Sequence, residues 1–456
     1  MTSSPERRRP LEGIRVIDAS HVFAIPYAAG LLSDFGAEVI KIHHPTRIDV
    51  MAAQGPFPEN QPNPRAWDRA GSLNTVNRGK TSLALDLTKP DGVAIFKDLA
   101  AKSDIVTESY TPRVMKGFGL DYPSLAAIKP DIIVLSNTGY GHTGPWRAYG
   151  SVATSLEGTS GMCWLSGYPG GAPSKVAQSY TDFLACWNAL YAILAALYRR
   201  RRTGRGQWID LSMYQAGAST IGPAIMDYMA NGRIGTRQGN RHPFRAPQGV
   251  FPAKGDDRWI AIAIESDSAW GKLRTEMGDP AWARDRRFDT TGGRLAAQDE
   301  IEPALAHWTA TQDGPALVER LQAQGIPAAM VADARDLMTD SRLRQRKFFE
   351  KVRHSDTSGM GERRYIGRPW KMSAADLAIR GPAPALGEHN RQILTDVLGY
   401  APSRADELAA QGVVCDGLKG SPQLPALALD EMRKRGRIGR HDPHYRQVQE
   451  ENDEDS

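Results

Sequence analysis

Short apolar runs alternate with helical stripes through the first half of the chain. Residues 14–18 read as a buried strand. Residues 26–35 read as a helix, with Pro26 suited to its first turn and Gly36 ending it. Residues 38–42 read as a second strand, so the chain opens on a βαβ unit, which predicts a parallel sheet. The alternation continues with strands over 82–87, 104–108 and 131–136 and helices over 90–101 and 123–128. The longest periodic stretch follows. Phe183, Leu184, Trp187, Leu190, Tyr191, Leu194, Leu197 and Tyr198 fall at three- and four-residue spacings and predict a core helix. Arg199 to Arg202 close it, where cations complement the negative end of the helix dipole, and Gly204 supplies the stop. Residues 207–213 resume as a buried strand and 214–231 as another helix.

This pattern gives one large α/β domain over 11–231, after a loose arm at 1–10. A Gly/Arg-rich linker covers 232–248. A smaller α/β unit, with strands at 259–264 and 328–332, covers 249–338. Residues 339–417 link back to the large domain, and 418–456 read as a polar, disordered tail. A chain of 456 residues exceeds one simple core, which suits two domains. Residues 45–75 show no periodicity, and a loop that long inside a domain is functional or disordered.

Composition narrows the function classes. At 41% hydrophobic and 24% charged residues the chain is an ordinary globular protein. Three scattered cysteines, Cys163, Cys186 and Cys415, suggest neither a disulfide framework nor a zinc site, and favour a reducing cytosol. No apolar run reaches about 18 residues, so no membrane span is expected. The net charge of +5 is spread out, apart from Arg7 to Arg9 and Arg199 to Arg202, and no basic stripe interleaves with aromatics. Nucleic acid is therefore not an expected partner. The turn after the first strand, residues 19–25, holds no glycine, which excludes the dinucleotide fingerprint.

Two places invite chemistry. Residues 137–144, NTGYGHTG, follow a strand end, and open parallel sheets bind ligands beyond the carboxyl ends of their strands. His142 in that turn reads as a solvent-facing polar residue. Asp182 sits where the long helix begins and backbone N–H groups lack partners, although an aspartate there is commonly a simple first-turn residue.

Taken in order, LEGIRVIDASHVFAIPYAAGLLSDFGAEVIKI, NRGKTSLALDL, NTGYGHTGP, YTD before a long helix, AALYRRRRTGRGQWIDLSM and LGEHNRQIL resemble the class III CoA-transferases. The resemblance covers most of residues 11–400. It implies a large doubly wound parallel-sheet domain plus a small α/β domain, in an interlocked homodimer in the cytoplasm. It also implies that Asp182 is a nucleophile that carries first an acyl group, as an anhydride, and then CoA, as a thioester. A carboxylate suits that task. Backbone N–H groups of the loop at Gly139, Tyr140 and Gly141 would face the tetrahedral oxyanions. Carried over residue by residue, the CoA contacts fall on Val22, Ala24, Lys80, Tyr140 and Met213, with Lys80 meeting a phosphate. Acyl-CoA and a carboxylic acid are then the substrates, with no metal and no tightly bound cofactor. Three positions depart from the family pattern. Ile25 replaces a glycine, and His44 and Gly117 replace arginines, with Arg113 and Lys116 close by in sequence. The alternatives are an α-methylacyl-CoA racemase and a non-catalytic CoA-binding protein. The racemase position for a base histidine is Val152 here, and the retained Asp182 speaks against the binding protein.

Overall fold

The computed structural model describes residues 9–47, 49–53, 55–176, 179–418 and 424–448. Most of the expected arm, and residues 419–423 and 449–456 of the expected tail, lie outside these. The chain divides into a larger unit (residues 1–162, 177–222 and 341–456) and a smaller one (residues 163–176 and 223–340).

The larger unit is built on six parallel strands: β1 Arg15–Asp18, β2 Glu38–His43, β3 Thr81–Ala84, β4 Ile105–Glu108, β5 Ile133–Thr138 and β6 Gln207–Ser212. Their order is β3-β2-β1-β4-β5-β6. The direction of winding reverses between β1 and β4, which makes that crevice the topological switch point. Strand side chains alternate between faces. Val16, Val39, Ile105 and Ile133 join one core with the helices Ala24–Asp34 and Tyr180–Thr203. Ile17, Ile40, Val106 and Val134 join the other, with Phe96, Leu99, Leu125, Ile393, Leu394 and Leu408. Both faces of the inner strands are thus covered, so those strands read as short, largely apolar runs, interrupted in β2 by the buried Lys41. The last strand departs from expectation. β6 lies at the sheet edge, with Trp208 and Asp210 exposed.

Tyr180–Thr203 is long and apolar enough to cross a membrane by length and composition, with a mean hydropathy of 1.3. In this fold its Ala185, Cys186, Ala189, Leu190, Ile193 and Ala196 are core residues.

The helix expected over 214–231 is two, Met213–Thr220 and Gly222–Asn231. Pro223 has no N–H to bond backwards and clashes with a preceding turn, so the chain restarts there. The smaller unit has its own antiparallel sheet, Gln248–Pro252, Trp259–Ala263 and Ala328–Met330. Phe251, Ile260, Ile262, Trp270, Leu273 and Leu317 form its core. Its boundaries differ from the expected 249–338. Residues 163–176 belong to it because Trp164 Nε1 donates to the Gly235 carbonyl at 2.8 Å and the Arg237 guanidinium donates to the Gly171 carbonyl at 2.9 Å.

Residues 341–418 return to the larger unit, through the hairpin Phe349–Arg353 and Glu362–Ile366. The return is fastened to the first helix by charge. Asp34, fully buried, accepts from Arg78 Nη2 at 2.9 Å and Arg368 Nη1 at 3.0 Å. Arg368 also donates to the Leu377 carbonyl and pairs with Glu350. Part of the expected disordered tail is ordered. Residues 424–448 include the helix Leu429–Lys434, and Asn63 and Asn60 side-chain amides donate to the Leu424 and Leu427 carbonyls.

Candidate active site

The long helix Tyr180–Thr203 runs antiparallel to the strands. Its last turn is at the amino edge of the sheet, where Arg200 Nη1 meets Asp104 Oδ1 at 2.8 Å just before β4. Its first turn therefore starts at the carboxyl edge, where α/β sheets bind ligands. Asp182 lies in that first turn and is 8% exposed. Anions are favoured there by the helix dipole. One turn on, the Cys186 thiol is pushed up to about 12 by burial, with Asp182 adding to the shift.

The turn after β1 sits beside this helix start, for the Phe23 and Phe183 rings pack edge-on at 5.0 Å. Tyr27 packs against Phe183 and Trp187. Val22 holds φ at +69°, a left-handed conformation that a β-branched residue adopts only under strain. Its N–H donates to Asp49 Oδ2 at 2.9 Å, which fixes the turn. Ala24 is the first residue of the following helix and is buried.

The glycine-rich loop leaves β5 on the other side of the switch point. Gly139 has no room for a side chain, since a Cβ would meet Ser151 Oγ at 1.9 Å. Its carbonyl accepts from the Tyr214 N–H at 2.8 Å, which ties the loop to the helix Met213–Thr220. Met213 is buried at that helix start. Tyr140 lies between Trp146 and Tyr214, with ring centroids at 5.3 and 5.9 Å. The Gly141 N–H is already taken by Thr138 Oγ1 at 2.8 Å. That corrects the expectation that Gly141 donates to an oxyanion.

Lys80 is a second correction. Its side chain is fully buried, and its ammonium donates to Asp18 Oδ2 at 2.7 Å and to Pro26 O and Asn77 Oδ1, both at 2.8 Å. All three ammonium donors are used, so none is left for a phosphate. Burial alone would push the Asp18 carboxyl up. Lys41 and Lys80 outweigh it and hold Asp18 below the usual carboxylate range. This cluster supports the end of β1 from below. A charge at the last position of an apolar strand, as in RVID, was its signal in the sequence.

The same signal ends β4, at Glu108, and marks a group that sequence reasoning missed. Glu108 is 2% exposed, and its Oε2 accepts the Tyr110 N–H at 2.8 Å. Burial pushes its carboxyl up to about 7, against hydrogen bonds from Ser136 and the Tyr110 N–H. His142, expected to face solvent, turns inward instead. Its Nε2 lies 3.8 Å from Glu108 Oε1, its ring stands edge-on to Trp208 at 5.2 Å, and its N–H donates to the Asp210 carboxylate. A carboxyl whose folded value lies above its unfolded one stabilises the fold below the unfolded value, and that contribution is lost as pH rises through the folded value. Glu108→Gln should therefore leave stability little changed near pH 4.5 and raise it by about 3 kcal/mol at pH 8. Urea unfolding at the two pH values measures this; equal effects at both would refute the assignment.

A small cavity of about 30 Å³ opens among His43, His44, Arg47 and Asp49, past the end of β2. Arg113 and Lys116 are exposed on the turn of helix that follows β4.

Asp182 and the strained turn at Val22 thus lie at the carboxyl edge of the parallel sheet. Residues 11–390 match the family model described as CoA-transferase family III. The chain belongs to CoA-transferase family III and is a CoA-transferase. It is 31% identical over 412 residues to the succinyl-CoA–D-citramalate CoA-transferase of Chloroflexus aurantiacus, spanning 90% of this chain and 100% of that relative. It is 31% identical over 398 residues to the succinate–glutarate CoA-transferase of Agrobacterium fabrum, spanning 87% and 98%. Among solved structures, a CAIB/BAIF family protein from Brucella suis superposes with a TM-score of 0.78 at 30% identity, covering 86% of this chain and 100% of that one.

Proposed function

We propose that the chain moves CoA from succinyl-CoA to a second carboxylic acid, with Asp182 as the covalent carrier. The observation that carries this is a carboxylate in the first turn of a core helix at the carboxyl edge, beside a strained turn. The Asp182 carboxylate attacks the thioester carbonyl of the donor; the C–S bond breaks, leaving CoA thiolate and a mixed anhydride. The thiolate attacks the Asp182 carbonyl, giving an aspartyl-CoA thioester and the free donor carboxylate. The acceptor carboxylate attacks that thioester, thiolate leaves again, and its attack on the acceptor carbonyl of the new anhydride restores Asp182. No proton is gained or lost.

Each step passes through an oxyanion, and one well-aimed N–H is worth about 3 kcal/mol to it. With the Gly141 N–H engaged, Gly139 and Tyr140 are the loop's donors in this reading. Val22, Ala24 and Met213 line the thioester arm. Arg47, Arg113 and Lys116 take the CoA phosphates that Lys80 cannot reach. Relatives named for succinyl-CoA support the donor. The reading includes a soluble, cytosolic homodimer. In support, helix Gly222–Asn231 buries none of its residues and exposes Met226, Tyr228 and Met229, a face suited to a second copy.

The test is a panel of dicarboxylic and hydroxy acids incubated with succinyl-CoA and followed by mass spectrometry, with hydroxylamine added during turnover. At least one acid should become a CoA thioester, and a hydroxamate should map to Asp182. Exchange without any adduct on that residue would sink the covalent route.

A further inference from the structure

The start of the long helix is capped in an unusual way. Ser179 occupies the N-cap position, where a serine ordinarily adopts an extended conformation and accepts a first-turn N–H through its hydroxyl. Here Ser179 is left-handed, with φ 59° and ψ 44°, and its side chain makes no cap bond. The first N–H of the helix goes elsewhere. Tyr180 N donates at 2.8 Å to Glu157 Oε1, from the helix Ala153–Thr159. Glu157 is fully buried, and its Oε2 has no hydrogen-bond partner among the described residues. A buried carboxylate with an unmet oxygen costs stability. The residue two places after Tyr180 is Asp182.

We propose that Glu157 is a positioning residue for Asp182: by accepting the Tyr180 N–H it sets the pitch of the first helical turn, and so the line along which the Asp182 carboxylate meets a thioester carbonyl. The inference rests on the proposed role of Asp182. That carboxylate alternates between anion and neutral acyl derivative in each cycle, so its attraction to the positive end of the helix dipole changes with every step. A cap supplied by another element does not take part in the chemistry and keeps the turn fixed throughout. Reacting groups displaced by about 1 Å lose about 100-fold in rate.

The test compares three variants in the full-length protein. Glu157→Gln keeps the length and an acceptor oxygen but removes the charge. Glu157→Asp keeps the charge but withdraws the acceptor by one methylene. Glu157→Ala removes both. We expect Gln to retain kcat within about threefold, Asp to lose at least about tenfold and Ala at least about thirtyfold, with KM for succinyl-CoA unchanged in each. Should the alanine variant fail to fold, the order of Gln and Asp still decides. An aspartate variant as active as wild type, or a glutamine variant as poor as aspartate, overturns the proposal. So does a loss that appears in KM alone. Hydroxylamine trapping separates this failure from that of the underlying reading. If wild type yields no Asp182 hydroxamate, the nucleophile assignment has failed. If wild type and the aspartate variant yield it at the same rate, only the role of Glu157 has.

Discussion

Asp182→Ala is expected to lower CoA exchange by about four orders of magnitude or more, for every acid that the wild-type protein accepts. Losing a covalent carrier does not weaken one step among many; it removes both acyl transfers at once, and what remains is the reaction of a bound carboxylate with a thioester without a relay. Binding should survive, since the residues assigned to CoA lie on other elements: the turn at Val22 and Ala24 and the helix start at Met213. Calorimetry with a non-transferable CoA analogue should therefore give wild-type affinity within about threefold. Asp182→Asn is the stricter control, because it keeps shape and removes only the anion. Retention of more than about 1% of exchange by both variants would place the covalent chemistry elsewhere.

A second large effect is expected from Asp34→Ala, this time in stability. Asp34 joins two arginines from distant parts of the chain, Arg78 before β3 and Arg368 after the hairpin. All three side chains are almost wholly buried. Removing the carboxylate leaves two guanidinium groups facing each other in the interior, and breaking such a cluster from one side costs about 4 kcal/mol. Urea unfolding should show a lower midpoint. Replacing Arg368 as well should recover part of the loss, because it takes away one of the stranded charges. A double variant no better than the single one would mean that the network is worth little.

The parallel sheet was legible because its strands are short apolar runs and its helices show a clear stripe. Residues 90–101, with Pro90 at the start, were bounded correctly from sequence. The split at Pro223 was missed because the apolar stripe runs on through it, and periodicity alone does not register one missing N–H. Asp182 was visible as the acid that opens the long helix. Lys80 was misplaced because its motif says which strand it precedes, not whether its side chain turns toward Asp18 or outward. Glu108 and Glu157 escaped for a related reason. Each is a single acid whose importance lies in a partner, His142 or the Tyr180 N–H, many positions away in sequence. A hydropathy pattern carries no record of such a pairing.

The return of the chain to the larger unit bears on how the protein can be made. Ile393, Leu394, Leu408 and Val414 complete the cover of one face of the sheet, and Val414 bridges to Leu85 beside β3. During synthesis the strands emerge first, and this cover arrives only after the whole of the smaller unit has been translated. Until then the part of that face not covered by the helices Pro90–Ala101 and Tyr122–Ile128 stands open on the ribosome, at the stage when growing chains are most prone to stick to one another. The order of translation thus makes the last quarter of the sequence a lid on an already assembled sheet, and a pause before it favours aggregation over folding.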